Sequence, residues 1–372
     1  MKYIKVICLA LLSLSLLPMA NAEVKFNGFG SVVMGQTLTH QAPFTADFYD
    51  VGQYSDKPSF KPETVFALQA TADVSQDLKF TGQYLTKGTD EFETELDWYY
   101  LTFSGVEDWT FMAGRRNIPM YYYSEFSEVG FAYPWIRPPA NLYWWQITQF
   151  NGVHASYDFE IGDLGNTITA FYGNEYSIDN KEMLFYDKLF AATPAASSID
   201  EIWTDIVGFN YSLVGEFFDL RFVYFQNHRN RTTYHVDGTV TEMVPFDQTF
   251  MGFGGNVNLD MFTILFDMNL VIYDNEVELE YPTWLVSLVY NIGKYQPYVV
   301  YSQADETHGD DPAGTNSWEQ HFTAGVGVRY NLSSSAALKV QYDYFEDQGD
   351  VDHSYDYHGD SETIAVALDF IF

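Results

Sequence analysis

From Val24 to the end of the chain, apolar residues alternate with polar or small ones at a period of two, and in each segment one parity is almost wholly apolar. Phe66, Leu68, Ala70, Ala72 and Val74 lead through Ser75-Gln76-Asp77 to Leu78, Phe80, Gly82 and Tyr84. This predicts two strands joined by a tight hairpin. The design returns in Val207 to Leu213 and Phe218 to Tyr224 around Gly215-Glu216, and in Met251 to Leu259 and Phe262 to Ile272 around Asp260. It returns once more in Phe322 to Leu332 and Leu338 to Tyr344 around Ser333-Ser334-Ser335. The opposite parity carries Asp219, Arg221, Asp267, Asn269, Arg329, Lys339, Gln341 and Asp343.

A soluble β-sandwich alternates in the same way, so the connections have to separate the two architectures. Short turns near residues 75, 106, 162, 215, 260, 293 and 334 take turns with long acidic segments near 36–62, 87–94, 117–146, 175–202, 228–246, 274–282, 304–320 and 346–361. Seven short turns and eight long loops predict about sixteen strands of roughly ten residues, the length that crosses a bilayer when tilted. The expected fold is all-β, a closed antiparallel transmembrane β-barrel. The first strand, Val24 to Met34, and the last, Ile364 to Phe372, should meet, because a sheet edge cannot stay unpaired in hydrocarbon. No linker divides the chain, which predicts one barrel domain over 23–372.

The 372 residues are 18% aromatic, and 18 Lys and Arg face 51 Asp and Glu for a net charge of -33. Such an acidic surface excludes nucleic acid as a partner, and the aromatic content opposes disorder. Past the first twenty-odd residues there is no run of roughly 18 apolar positions, the minimum for a membrane helix. Residues 1–22 have the basic start (Lys2, Lys5), apolar stretch and Ala20-Asn21-Ala22 ending of a cleaved secretory signal peptide. Removing its two lysines takes the net charge from -33 to -35. The single cysteine, Cys8, would leave with it, so the mature chain has neither disulfides nor a thiol nucleophile.

A leader, some sixteen alternating strands, short turns opposite long loops and a terminal Phe372 together resemble the Gram-negative outer-membrane porins. The resemblance implies an inward-folded third loop, a homotrimer, residence in an outer membrane of lipid and lipopolysaccharide, and delivery there by the barrel-assembly machinery, which reads the terminal aromatic. It also implies passive diffusion of small hydrophilic solutes and ions, with no cofactor, no metal and no catalytic residue. The third loop here runs from Asn117 to about Gln146 and contains Met120-Tyr121-Tyr122-Tyr123, Glu125, Glu128 and Tyr133-Pro134-Trp135-Ile136-Arg137-Pro138-Pro139. Four prolines, at 119, 134, 138 and 139, restrict its backbone and favour a fixed constriction over a loose lid.

Carboxylates on that loop opposite arginines on the wall would set up a transverse field across a narrow aqueous constriction. Glu125 and Glu128 are assigned to one side and Arg115, Arg116, Arg221 and Arg329 to the other, with Arg137 able to join either. The plainer alternative is that some of these pairs only pin the loop. Tyr121, Tyr122, Tyr123 and Trp135 offer a stacking surface for a sugar, which would make the protein a substrate-specific channel, as the resemblance to sugar-specific porins implies. Tyr143, Trp144 and Trp145 could extend that slide but, lying near a strand end, read rather as an interfacial girdle.

The remaining chemistry is thinner. Acidic loop clusters (Asp90, Glu91, Glu93, Glu95; Asp305, Glu306, Asp310, Asp311; Asp347 to Asp360) lack the spacing of a calcium loop and read as a solvated rim that enriches cations. The basic wall residues would favour anions instead, and the two tendencies stay open at this level. His353 and His358 are too few for a metal site, and 181–192 reads as a short amphipathic helix. His154, Ser156 and Asp158 share one face of a strand, the minimum for a base and nucleophile, but alternation points them into the lumen.

Overall fold

The computed structural model describes residues 23–38, 42–47, 52–143, 147–180, 196–274, 279–307, 319–349 and 359–372. Residues 1–22, read above as a leader, Trp144 and Trp145, the 181–192 segment, Asp310 and Asp311, and the last loop around His353 and His358 lie outside them.

Sixteen strands form the wall. In chain order they are β1 Val24–Thr37, β2 Val65–Asp73, β3 Leu78–Lys87, β4 Thr94–Val106, β5 Trp109–Asn117, β6 Gln149–Ile161, β7 Leu164–Ser177 and β8 Ala196–Val214. There follow β9 Phe218–His235, β10 Phe246–Leu259, β11 Phe262–Asp274, β12 Glu280–Tyr290, β13 Tyr295–Asp305, β14 Gln320–Asn331, β15 Ala336–Asp347 and β16 Ser361–Ile371. Each pairs antiparallel with its chain neighbours, and β1 pairs with both β2 and β16, which closes the cylinder. The closing register sets Phe29 opposite Ile371 and Gly30 opposite Phe370. Gly28 and Phe372 add a reciprocal pair of backbone hydrogen bonds at 2.9 Å. The architecture is the closed antiparallel sixteen-strand barrel expected from the alternation.

Burial runs opposite to a soluble sandwich. Large apolar side chains such as Phe222, Phe253, Met268, Val299 and Val326 are exposed on the outer face, while Arg221, Asp267, Asn269, Lys339, Gln341 and Asp343 are buried on the inner one. An apolar exterior around a polar interior suits hydrocarbon and costs free energy in water.

Two expectations need correction. Strands run from 9 to 19 residues rather than about ten. In the segments near 175–202 and 228–246, read as loop, the described residues are in large part strand: β8 and β9 stay paired from Ala196 opposite His235 down to Val214 opposite Asp219, with register shifts after Ala196 and after Thr204. Apolar alternation marks only the stretch that meets lipid, whereas the hydrogen-bond ladder continues beyond it with Asp200, His228 and Thr232 on the outward rows in place of apolar residues. A short strand, Val240–Glu242, extends this flap by pairing with β9.

Candidate functional site

Between β5 and β6, residues 118–148 form the third loop, and its partners lie on inward rows of strands far round the barrel. The Tyr122 amide donates to Asp267 on β11 at 3.0 Å, and the Tyr123 hydroxyl donates to Asn256 on β10 at 2.8 Å. The Trp135 indole N–H donates to Ser287 on β12 at 3.0 Å, and the Ile136 amide donates to Gln341 on β15 at 2.8 Å. The Asn141 side-chain oxygen Oδ1 accepts from Ser302 on β13 and Thr323 on β14. Apolar packing accompanies these bonds. Ile118, Met120 and Tyr121 pack among Phe171, Phe225, Phe250 and Val271, and Tyr133, Trp135 and Leu142 pack among Leu265, Leu285, Val289 and Val300.

Two bases hold the loop by its carbonyls. Arg329 on β14 donates to the oxygens of Phe131 and Tyr133 at 2.7 and 3.0 Å and stacks over the Phe131 ring. Lys339 on β15, 0% exposed in its side chain, pairs with Asp369 at 2.8 Å and donates to Gly130 O at 2.5 Å and to Trp135 O. The close approach requires Gly130: a Cβ there would lie 2.5 Å from Ser31 Oγ and 2.6 Å from Asp369 Oδ1.

A clasp ties the third loop to the first. Arg137 pairs with Asp47 at 2.8 Å, with Glu128 at 3.5 Å and with Glu63 at 4.0 Å. Lys87 at the end of β3 pairs with Glu128 at 2.8 Å, and the Tyr54 hydroxyl donates to Glu63 at 2.7 Å. Burial opposes the charge on Arg137, but Glu128, Asp47 and Glu63 outweigh it and hold its pKa above the usual guanidinium value. Burial raises the Glu63 carboxyl, an effect Arg137 and Tyr54 only partly offset.

The residues singled out in the sequence therefore separate. Arg116 meets Glu125 at 3.2 Å and stacks over Tyr100, and Arg221 lies 3.8 Å from the same carboxylate while donating to Tyr122 O. Glu128 and Arg137 belong to the clasp. Arg115 leaves the group: Arg116 continues the inward row of β5, so its neighbour starts on the other row, and its guanidinium is held by Glu175 on β7 at 2.7 Å. Arg329 faces backbone carbonyls, where the expectation placed it across from carboxylates.

Tyr121, Tyr122, Tyr123 and Trp135 are 3%, 8%, 1% and 0% exposed. Tyr122, Tyr123 and Trp135 are spent on loop packing away from the cavity, and of the four rings Tyr121 borders it. Tyr143 likewise packs inward and donates to Asp267 at 3.0 Å, so it is not part of an interfacial girdle. His154 and Ser156 do point inward, but Ser156 Oγ pairs with Thr169 at 2.8 Å, His154 Nε2 is buried without a hydrogen bond, and Asp158 accepts from Thr167. Among the described residues no group of three or more His, Asp or Glu could hold a metal ion.

The sequence reading missed Asp47, Glu63, Lys87, Asp267, Lys339 and Asp369. A signal for Lys339 was present, since a lysine in the inward row of Gln341 and Asp343 has to find a partner. A second signal marks the docking wall: in 222–225, 270–273 and 298–301 both parities are apolar or aromatic, so one face meets lipid and the other meets the loop.

Opposite the docked face, the loop and the wall of β1–β5 leave a cavity of about 310 Å³. It reaches from Asn27 and Ile371, toward the short-turn end, past Gln69, Gln83 and Asp97 to Lys87 and Glu95 at the long-loop end.

No curated protein matches the chain in sequence. In structure it is similar to a loop L8 deletion mutant of OmpT, an outer membrane protein of Vibrio cholerae, with a TM-score of 0.62 at 12% identity over 95% of this chain and 100% of that one. The outer membrane channel DcaP of Acinetobacter baumannii gives 0.60 at 11% identity over 94% and 97%. An anion-selective porin from Comamonas acidovorans gives 0.54 at 13% identity over 94% and 100%. At such identities these likenesses speak for the barrel alone. The family model of Gram-negative porins, however, matches residues 10–350. With its closed barrel, apolar outer face and polar interior, the chain belongs to the Gram-negative porin family and is an outer-membrane channel.

Proposed function

We propose that this channel carries small hydrophilic solutes and ions by passive diffusion, with the third loop as its constriction. The observation that carries the reading is the cavity of about 310 Å³ running along β1–β5 beside a loop anchored to β10–β15. A loop fastened by Asp267, Arg329 and Lys339 leaves one side of the lumen to water and holds its width constant. Glu125, backed by Arg116 and Arg221 behind the wall, and Lys87 and Arg137 around Glu128 form the charged rim of that passage. Burial of the tyrosine triplet and Trp135 favours general diffusion over an oligosaccharide slide.

The partners follow from this reading: outer-membrane lipid and lipopolysaccharide around the apolar belt, the barrel-assembly machinery at Phe372, and two further copies in a homotrimer after cleavage of residues 1–22. Swelling of liposomes loaded with the purified protein tests it. Rates should fall smoothly with solute size among neutral sugars and stay linear in concentration. Saturating rates for one sugar would favour a substrate-specific channel, and no swelling would contradict diffusion.

A further inference from the structure

We infer that the passage prefers cations, and that β4 sets the preference by presenting Glu95 and Asp97 to the cavity together with Glu125. The inference rests on the diffusion reading and adds the class of solute it favours.

A β-bulge aims the two β4 carboxylates. Along β4 the outward row is Phe103, Leu101 and Tyr99, all exposed, and the next exposed apolar residue is Leu96. The step of three instead of two follows from the register: Gln83 on β3 faces Trp98, yet Tyr84 faces Leu96, which leaves Asp97 as the extra residue. Such a bulge shifts the parity of the strand beyond it. Without it Leu96 would point inward and Glu95 and Asp97 would point outward. With it both acids line the cavity. Asp97 accepts from the amides of Gln83 and Gln149, which are neutral groups and leave its charge uncompensated by direct pairing.

The bases, by contrast, are engaged. The cavity wall carries Asp47, Glu95, Asp97, Glu125 and Glu128 against Lys87 and Arg137 only, and both of those bases are ion-paired. Counting the groups just behind the wall adds Glu63 to the acids and Arg116 and Arg221 to the bases, six against four. Arg329 and Lys339 are turned to the loop's carbonyls on the far side, and Arg115 is held by Glu175. The arginines that would have favoured anions thus serve to fix the loop, their pairs take up Asp47, Glu63, Glu125 and Glu128, and Glu95 and Asp97 remain on the wall outside any ion pair among the described residues, in a narrow, low-dielectric passage where a field is focused.

The experiment is the reversal potential of the full barrel in a planar bilayer under a potassium chloride gradient. The wild type should show a potassium-to-chloride permeability ratio above unity. Glu95→Gln, Asp97→Asn and Glu125→Gln should each lower it, and Glu95→Lys, at the exposed mouth, should lower it furthest of the single changes there. Arg115→Gln should leave it unchanged. A ratio at or below unity in the wild type, or acid variants that conduct with the wild-type ratio, would overturn the inference while leaving the diffusion reading intact. An assembled barrel that passes no current would instead overturn the diffusion reading.

Discussion

Lys339 and Asp369 are both 0% exposed in their side chains and stand 2.8 Å apart at the point where the third loop meets β15 and β16. Taking two charges out of water is costly, and their mutual attraction, together with the hydrogen bonds from Lys339 to Gly130 O and Trp135 O, offsets that cost. Removing one partner leaves the other charge buried alone. Lys339→Met should therefore destabilise the docked loop by about 3–5 kcal/mol, seen as a lower melting temperature in detergent. The double change Lys339→Met with Asp369→Leu should recover part of the loss, because an apolar pair leaves no stranded charge. A double variant as unstable as the single one would show that the pair's worth lies elsewhere. Arg221 and Arg329 show the same economy on a smaller scale, each spending donors on carbonyls of the loop.

At the scale of elements, the third loop is a folded segment with its own core, and that core is shared with the wall. Trp135 is wholly buried, packs edge-on to Tyr123, and donates to Ser287. Trp135→Ala removes that packing and one hydrogen bond to the Ser287 hydroxyl, which still donates to the Val299 carbonyl, a cost of about 3–5 kcal/mol for a buried aromatic. Limited proteolysis should then cleave within 118–148 of the variant under conditions that spare the wild type. An equally resistant variant would mean that the polar anchors suffice. The existence of this loop was legible from the spacing of alternating segments and its stiffness from its prolines. Its partners were not. Period-two alternation assigns each residue a face, but it says nothing of which inward residues a distant loop will cover, so a tyrosine that lines a passage and one that packs beneath it look alike. The bulge at Asp97 was hidden for a related reason: one extra residue flips the parity beyond it, and the local run Glu95-Leu96-Asp97 reads as ordinary loop margin.

On the scale of the molecule, the fold was almost wholly legible, because lipid imposes a long-range constraint. Every outward residue in the belt has to be apolar and every strand has to be paired, so the turns, the strand count and the meeting of β1 with β16 follow from the pattern. Strand length was not legible, since β8 and β9 continue past the belt where no lipid disciplines the sequence. What the closed wall makes possible is a lumen divided in two: one side is filled by a docked loop, and the other is left as a cavity from Asn27 to Glu95. The measurement that tests this division most directly is single-channel conductance of the purified barrel in a planar bilayer at symmetric salt. A fixed constriction predicts discrete steps of one size that scale linearly with voltage and stay open. A barrel that inserts yet passes no current, or one whose steps flicker over a wide range of sizes, would contradict a lumen held half open by an anchored loop.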